Sequence, residues 1–417
     1  MPQGASLVSL QNRVESPFII VKIGKYTFGH CDKPLKEQLN RYFKVTYPNY
    51  MESLNVTKVN GTVNTYSINM IYAVTEYDDP NMLDKVFSSV SKSREIILSY
   101  GDWNMPGFIY KEEKALITKV QTKVNMQAST ITYTITCTSV SMASRGICDD
   151  FPAKKAKPSD EIIRLLLNER YGLQDVFTGM RNLTHAQLNY FFARNDREVQ
   201  LEAKTCDVLE YISYLVSCMV SVEDDPNSTL KKFCYFWAVY DDVKNEFEGS
   251  YFKVQCVAAS TANIKTFNTY EVDVGYPSAE FVTDFSVNND DSWALLYEYS
   301  QSVKVPSQSY YIDAHGDVLK ENSTPLVRSP KYLTTTEANR NWWSLVTQFP
   351  ITATLTIKGL LRPALLMTYV KVNVYFHGKK HVTSGLYIIT KQQDQINNTG
   401  YRTTLSLTRI SGDEDYA

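Results

Sequence analysis

The clearest pattern of hydrophobic and polar positions lies in residues 115–139, ALITKVQTKVNMQASTITYTITCTS. In its second half, Ile131, Tyr133, Ile135 and Cys137 alternate with threonines at the positions between them. A period of two with β-branched residues on both faces is typical of a half-buried β-strand. The stretch as a whole therefore predicts a β-hairpin.

The same pattern recurs near the C-terminus, where residues 387–411, YIITKQQDQINNTGYRTTLSLTRIS, align with it without gaps. The identical positions are Ile117, Thr118, Lys119, Gln121, Asn125, Thr132, Thr136 and Ser139, which meet Ile389, Thr390, Lys391, Gln393, Asn397, Thr404, Thr408 and Ser411. Tyr133 and Ile135 align with Leu405 and Leu407, so the buried phase is also kept. An ungapped match with preserved phase predicts two copies of one β-rich module.

Shorter patterns predict that residues 1–150 form a first β-barrel domain with one helix. Strands are predicted at 17–30, 53–59, 63–77 and 95–100. Asn60-Gly61 is a strong signal for a two-residue hairpin turn. Asp79-Pro80 predicts the start of the helix, because Asp favours the N-cap and Pro favours the first helical position.

Residues 151–275 are expected to form a separate α+β domain after a linker with two prolines. Its predicted elements are a helix capped by Ser159, a second helix at about 205–220, and strands at 233–240 and 250–258. Residues 276–350 are expected to be an irregular connecting region. Residues 351–417, with parts of 276–350, are expected to form the second β-barrel and an acidic tail. The predicted fold class is α+β and β-dominated, with two similar β-barrel modules and an α+β domain between them.

The composition narrows the range of functions. A chain of 417 residues predicts two to four domains. The 43 basic and 45 acidic residues give a formal net charge of −2. A protein that holds nucleic acid on its surface needs a basic excess, which this chain lacks.

Signals for membrane insertion, secretion and disulfide formation are missing, and we therefore expect assembly in the cytoplasm. No apolar run approaches the roughly 20 residues of a membrane helix, so no membrane segment is expected. The polar N-terminus has no hydrophobic region of the kind found in signal peptides. The seven cysteines are an odd number without a CxxC spacing. Reduced, buried thiols are therefore expected rather than disulfides.

Catalytic and cofactor motifs are missing from the sequence. It contains no GxGxxG, GxxxxGK[ST], GxSxG or HExxH pattern. His377 and His381 are four residues apart, but they flank a Gly-Lys-Lys turn between predicted strands and lack a third ligand. We therefore expect no catalytic, cofactor-binding or metal-binding residues, no cofactor, and no enzymatic activity.

Two other features have an alternative chemical interpretation. Acidic pairs occur at Asp78-Asp79, Asp149-Asp150, Asp224-Asp225, Asp241-Asp242 and Asp290-Asp291. A glycosidase uses two carboxylates as acid and base, but nearly every pair lies at a turn or before a helix, where Asp caps free N–H groups. Trp342-Trp343 is compatible with a sugar platform, but its position just before a predicted buried strand favours packing or an interface.

Several stretches together resemble the baseplate or tail hub proteins of long-tailed bacteriophages, and the N-terminal part of type VI secretion spike proteins. These stretches are YSINMIYAVTEYDDP, SYGDWNMPGFIYKEEKALITKV, the insert that begins at KPSDEIIRLLL, and the closing SGLYIITKQQDQINNTGYRTTLSLTRI. The resemblance spans roughly residues 17–411. It implies that both barrel modules are of the tail-tube type.

The resemblance also implies an assembly. Members form a homotrimer whose six barrels make a pseudo-six-fold ring between the hexameric tail tube, or a distal tail ring protein, and a trimeric central spike. Other baseplate proteins surround the hub, and genomic DNA passes through its lumen without specific binding. The expected location is the virion tail baseplate, assembled in the host cytoplasm. The sequence contains no β-helical spike or lysozyme segment after the second module, so a separate spike protein is expected.

Three alternatives stay open at this point. The first is a hub of a contractile injection or secretion system, which has the same architecture. The second is a tail-associated cell-wall glycosidase or peptidase that works through an acidic pair such as Asp290-Asp291. The third is a glycan-binding protein that uses Trp342-Trp343 and the many tyrosines.

Overall fold

The computed structural model describes most of the chain. The described residues are 16–31, 41–48, 50–75, 79–89, 95–103, 110–139, 148–180, 183–188, 196–225, 230–241, 250–258, 268–274, 282–293, 295, 309–312, 318–321, 336–358, 366–397 and 399–412.

The described strands are numbered in chain order. They are β1 Pro17–Ile23, β2 Tyr26–Cys31, β3 Tyr47–Pro48, β4 Met51–Val59, β5 Thr65–Ala73, β6 Glu95–Asp102, β7 Tyr110–Asn125, β8 Thr130–Thr138, β9 Cys148–Phe151, β10 Lys154–Ala156, β11 Val199–Leu201 and β12 Lys204–Asp207. They continue with β13 Phe233–Asp241, β14 Ser250–Ala258, β15 Asn268–Val274, β16 Val282–Asn289, β17 Ser309–Ile312, β18 Val318–Glu321, β19 Ile351–Lys358, β20 Tyr369–Phe376, β21 Lys379–Lys380, β22 Gly385–Asn397 and β23 Gly400–Gly412.

Helices are fewer than strands among the described residues, and the fold is a β-dominated α+β fold, as the sequence predicts. They are α1 Met82–Ser89, α2 Pro158–Leu166, α3 Leu173–Val176, α4 His185–Leu188, α5 Val208–Cys218 and α6 Thr336–Gln348. Short 3₁₀ turns lie at Glu169–Tyr171 and Thr178–Met180. None of these helices combines the length and apolar character needed to cross a bilayer.

One long sheet organises the fold. Its strand order is β16-β19-β23-β22-β4-β5-β8-β7-β6-β1-β2-β3, with β20 beside β22 and with β15 and β21 beside β20. The sheet curls so that β1 lies against both β4 and β22. We call β1–β8 with α1 the first module, and β15, β16 and β19–β23 the second module.

The first module encloses an apolar core on one face of its strands. Alternate residues of β5 and β8 are buried, among them Ile68, Tyr133 and Ile135. Helix α1 adds Leu83 and Val86 to the same core. The predicted strands therefore agree with the structure, but the helix begins at Met82 rather than at the predicted Pro80. Asp79 instead accepts a hydrogen bond from the Asn81 backbone N–H in the turn before the helix.

The middle region, β9–β14 with α2–α5, has its own apolar core. Helices α2 and α5 pack there against β13 and β14, with Ile162, Ile212 and Trp237 buried. Both helix starts predicted in this middle region were wrong. Helix α2 begins at Pro158, and the hydroxyl of Ser159 donates to Asp196 at 2.6 Å instead of capping.

The second predicted helix of this region, in contrast to the first, begins later than expected. Residues 204–207 form β12, and α5 starts at Val208. Asp207 caps it by accepting hydrogen bonds from the backbone N–H groups of Leu209 and Glu210. The residues that the sequence assigns to the first turn of this helix instead pair with β9 as an antiparallel strand.

The region 276–350 is more regular than predicted. It contains β16, which pairs antiparallel with β19, and the helix α6. The core of the second module lies between these strands and their neighbours, with Leu355, Val372 and Leu407 buried.

Candidate assembly interface

The hairpins β7–β8 and β22–β23 share a distinctive irregularity. The pairing of β7 with β8 shifts register between Ile117 and Lys119, and that of β22 with β23 shifts between Ile389 and Lys391. The residue inside each bulge is a threonine. The Thr118 hydroxyl donates to the carbonyl oxygen of Thr136 at 3.0 Å, and Thr390 donates to the equivalent carbonyl of Ser406 at 3.2 Å. Matching bulges are strong evidence for duplication, because bulges are built features rather than defects.

The structure corrects half of the sequence alignment. The first strands match as predicted, with Lys119 equivalent to Lys391. The second strands are offset by two residues, because Lys119 pairs with Thr136 whereas Lys391 pairs with Ser406. The connection from Asn125 to Thr130 is longer than that from Asn397 to Gly400, which accounts for the offset. A shift of two residues leaves every side chain on its original face of the strand. The predicted buried and exposed positions therefore stay correct.

The duplication extends beyond these hairpins. Strand β5 pairs with β8 as β19 pairs with β23, so that Ile68 corresponds to Leu355. Strand β6 corresponds to β20, because each pairs with the first part of its hairpin. Strand β4 corresponds to β16, and both contain a bulge at the same place, after Met51 and after Val282. These strands share few identical residues at equivalent positions, such as Val56 with Val287 and Thr65 with Thr352, which are too few to reveal the relation.

The two modules are joined by a direct strand pairing. Residues Lys391 to Asn397 of β22 pair antiparallel with Val59 to Ser53 of β4. The pairing places Ile396 opposite Leu54 and Asp394 opposite Val56. Ile396 and Tyr401 of the second hairpin are buried in the core of the first module. We call this contact the internal junction.

A buried polar network fills the interior beside the internal junction. Glu113 of β7 accepts hydrogen bonds from the Lys58 ammonium at 2.9 Å, the Tyr66 hydroxyl at 2.6 Å and the Tyr100 hydroxyl at 2.8 Å. The Lys58 side chain is only 1% exposed. A lysine this deeply buried is stable only when it is paired with a carboxylate and hydrogen-bonded.

A second carboxylate of the network comes from the second module. Asp394 accepts from the Thr403 hydroxyl at 2.6 Å and from the Gln392 amide at 3.1 Å. Burial raises the pKa of Tyr100 and of Tyr401 well above the ordinary tyrosine value, and the nearby carboxylates Glu113 and Asp394 raise both further. Both phenols therefore stay neutral donors at physiological pH, and carboxylates from both modules act on the same two buried phenols.

The edge that corresponds to β22 is open in the first module. Residues 119–125 of β7 pair with β8 on one side, and within the described chain no strand pairs with their other side. Every residue from 119 to 129 is exposed. Val120, Val124 and Met126 are 37%, 61% and 90% exposed. We call residues 119–125 the open β7 edge.

The edge that corresponds to β4 is open in the second module. Strand β16 pairs with β19, and no described strand pairs with its other side. Val282, Phe285 and Val287 pack against the core of the second module but are only partly covered. We call this strand the open β16 edge.

The two open edges carry opposite charges. The open β7 edge presents Lys119 and Lys123, and the open β16 edge presents Asp284, with Asp290 directly after it. Edge strands with unpaired N–H and C=O groups are templates for further strand pairing. The fold therefore presents a complementary pair of open edges, one on β16 at the end of the sheet and one on the part of β7 that extends past β6.

The tryptophan pair lies on α6, which ends just before β19. Trp343 is 1% exposed and Trp342 is half-buried. The ring centroids of Trp342 and Trp293 are 5.1 Å apart in an edge-to-face arrangement. This agrees with the packing interpretation, since a sugar platform needs an exposed ring face.

The acidic pairs are held in structural roles where they are described. Asp290 accepts from the Ser292 hydroxyl and backbone N–H, which lowers the pKa of its carboxyl group. Asp224 accepts from the backbone N–H groups of Ser221 and Lys232. Asp149 is an exception to the turn prediction, because it lies on β9 and accepts from Tyr171. Asp78 and Asp242 lie outside the described residues.

The two histidines stand in a turn rather than on one face. His377 and Gly378 form a two-residue hairpin turn, both with positive φ (52° and 77°). The His381 ring nitrogen Nδ1 is 2.8 Å from the Thr383 hydroxyl. Among the described residues, no group of three His, Cys, Asp or Glu side chains is placed to hold a metal ion.

Comparison with known proteins gives structural neighbours only. No protein-family model and no curated protein sequence matches the chain. A 43 kDa tail protein of prophage MuSo2 from Shewanella oneidensis aligns with 95% of this chain and 97% of its own, at 10% identity and a TM-score of 0.49. The tail protein from Neisseria meningitidis MC58 aligns with 94% of this chain and 96% of its own, at 7% identity and a TM-score of 0.44.

A third neighbour comes from a secretion system. It is an E. coli component of the type VI secretion system, described as structurally similar to the T4 bacteriophage tail proteins gp27 and gp5. It aligns with 87% of this chain and 74% of its own, at 10% identity and a TM-score of 0.43. The neighbours thus belong to the phage tail and type VI secretion groups that the sequence resembles.

Proposed function

We propose that this protein is the structural hub of a phage tail baseplate, in which three chains form a ring of six β modules. The observation that carries the proposal is the internal junction. Two similar modules share one sheet within a chain, and the corresponding edges are open on β16 and on residues 119–125 of β7. Repetition of the junction between chains gives a head-to-tail contact, and such a contact produces a ring when its rotation closes.

A ring of this kind adapts one symmetry to another. Its six similar modules match a hexameric tail tube or a distal tail ring protein, and its three identical chains match a trimeric central spike supplied by a separate protein. The residues 1–150 and 351–417, with parts of 276–350, supply the barrels of the ring, and 151–275 forms the domain between them. Other baseplate proteins contact the outside of the ring.

The lumen passes genomic DNA without specific binding in this proposal. A formal net charge of −2 supports that role, because a strongly basic lumen would retain phosphates. The hub acts by geometry rather than by catalysis, and it is located in the virion tail baseplate after assembly in the host cytoplasm. The resemblance of the sequence to phage hub proteins supports the same assignment.

The test is negative-stain imaging of the purified protein with symmetry classification, together with light scattering. We expect three-fold rings with six density lobes around a hole, at three times the mass of one chain. Compact monomers at every concentration, including in the presence of a co-expressed spike, would contradict the proposal. Detection of the protein in purified tailed virions distinguishes a phage hub from the hub of an injection or secretion apparatus.

A further inference from the structure

We propose that the open β7 edge of one chain pairs antiparallel with the open β16 edge of a second copy, in the register of the internal junction. This inference rests on the proposed ring and adds the strands, the register and the side chains of its subunit interface. Strand β7 is equivalent to β22, and strand β16 is equivalent to β4. Each equivalence is fixed by a matching bulge.

The register follows from the internal junction. There, Ile396 pairs with Leu54. The residue equivalent to Ile396 is Val124, since the β7 and β22 bulges coincide. The residue equivalent to Leu54 is Phe285, since Leu54 pairs with Ile68 as Phe285 pairs with Leu355. Val124 of one chain therefore lies opposite Phe285 of the next.

The inner face of this pairing is apolar. Val124 is 61% exposed in the single chain. Phe285 packs against the core of the second module but is only partly buried. Two positions away, Thr122 lies opposite Val287. In the internal junction the corresponding pair is Asp394 and Val56, which are both fully buried. The pairing between chains thus covers the apolar side chains that the single chain leaves exposed, as the internal junction covers its own.

The outer face of the pairing is electrostatically complementary. The same register places Lys119 opposite Asp290, and it places Lys123 diagonal to Asp284. All four side chains are exposed in the single chain. Cross-strand pairs of opposite charge stabilise a sheet, whereas like charges at these positions destabilise it. A slip of one residue would turn Val124 away from Phe285 and expose it again.

The occupant of each edge is a second copy of this chain rather than another protein. The two edges are the two halves of a contact that the chain already makes internally, and each half carries the charge that the other lacks. A head-to-tail contact also uses both edges of every chain in a closed ring. Both the open β7 edge and the open β16 edge of every chain are then covered, which protects these two edges from aggregation.

The experiment uses two full-length chains that each carry one new cysteine, Val124→Cys and Phe285→Cys. The exposed Cys148 is replaced by serine in every chain, and the chain without added cysteines gives the background. Directly opposed residues on paired strands lie close enough for a disulfide. We expect a disulfide-linked dimer under mild oxidation when the two chains are mixed, and none from either chain alone.

The matched control replaces Phe285→Cys by Ser286→Cys, whose side chain lies on the opposite face of β16. We expect no cross-link from Val124→Cys with Ser286→Cys. A charge test avoids any loss of packing at Phe285. Lys123→Glu and Asp284→Lys are each expected to weaken association about two- to fivefold, and the double variant is expected to regain most of it.

The outcomes separate the interface from the proposed ring. In-register cross-links together with charge rescue would support the interface, whether the particles are closed trimers or open chains. Open chains of subunits would contradict the trimeric ring but not the interface. Three-fold rings without the Val124–Phe285 cross-link, or with the Ser286 control linked equally well, would overturn the interface and leave the hub. Absence of any association, at every concentration and with a spike present, would overturn both.

Discussion

At the residue scale, one hydroxyl helps to hold a buried carboxylate beside the internal junction. Asp394 and Thr403 are each fully buried and lie opposite each other in the pairing of β22 with β23. The Thr403 hydroxyl donates to the Asp394 carboxylate at 2.6 Å. Removal of a donor from a buried carboxylate costs more than an ordinary hydrogen bond contributes, because the charge keeps its desolvation penalty.

We therefore expect Thr403→Val to lower the free energy of unfolding by about 1–3 kcal/mol. Thr403→Ser is the matched control, since it keeps the hydroxyl and loses only a methyl group, which costs about 1 kcal/mol. Urea denaturation of the two variants and the parent measures the difference. Equal or greater stability of the valine variant would mean that this hydroxyl does not hold the carboxylate.

The sequence could not predict this network. Lys58, Gln392 and Asp394 lie on the same strand faces as the buried apolar residues. Because they are polar, a sequence pattern predicts that they are exposed to solvent. Their burial arises only because two segments more than 300 residues apart form adjacent strands. By contrast, the alternation that places Tyr133 and Ile135 in the core is local, and it was predicted correctly.

At the element scale, helix α5 ends against a buried cation. The Lys231 ammonium donates to the carbonyl oxygens of Ser217 and Met219, at 3.0 and 2.7 Å. These carbonyls are among those that a helix C-terminus leaves without an internal partner, and the end of the helix dipole favours a positive charge there. Burial nevertheless lowers the pKa of Lys231 to about 8.

The lowered pKa makes stability depend on pH. Between pH 8 and 10.5, the unfolded chain keeps the proton on Lys231 while the folded chain has released it, so alkaline pH favours folding through this group. We expect the difference in unfolding free energy between the parent and Lys231→Met to be flat below pH 8 and to rise towards pH 10.5. Denaturation at several pH values measures it.

Lys232→Met is the control for this experiment, because Lys232 is the adjacent lysine and is exposed. The difference between the parent and this variant should not change over the same range of pH. A flat profile for Lys231→Met as well would contradict a lowered pKa at Lys231.

Element boundaries were less predictable than element types. Helix α2 begins one residue before its predicted cap, because the Ser159 hydroxyl donates its hydrogen bond to Asp196, which is far away in sequence. Strand β16 was missed because the bulge after Val282 breaks the alternation with Phe285 and Val287, and because the residues between them are polar or charged. The missed strand is one of the two strands on which the proposed subunit interface depends, so sequence alone could indicate the duplication but could not locate the interface.

At the scale of the whole molecule, the second hairpin belongs to two cores at once. Its distal end places Ile396 and Tyr401 in the core of the first module. Its proximal end places Leu407 and Ile389 in the core of the second module. Modules that merely touched would melt independently, whereas this hairpin makes the stability of each module depend on the same pair of strands.

The dependence can be separated by two substitutions on the one hairpin. Ile396→Ala and Leu407→Ala each remove a side chain that is 1% exposed, so each is expected to cost about 2–5 kcal/mol. We expect Ile396→Ala to lower hydrogen-exchange protection in β5 and β6 of the first module, although the substitution lies in the second half of the chain. Leu407→Ala is expected to lower it in β19 and β20 instead.

Peptide-resolved hydrogen exchange of the two variants measures this directly, and each variant is the control for the other. The same pattern of lost protection in both would mean that the two cores unfold as one unit. Loss confined to the second module in both would mean that the distal end of the hairpin does not stabilise the first module. The expected crossed pattern would establish that a module is completed by a hairpin from its neighbour, which is the principle that the proposed ring extends from one chain to the next.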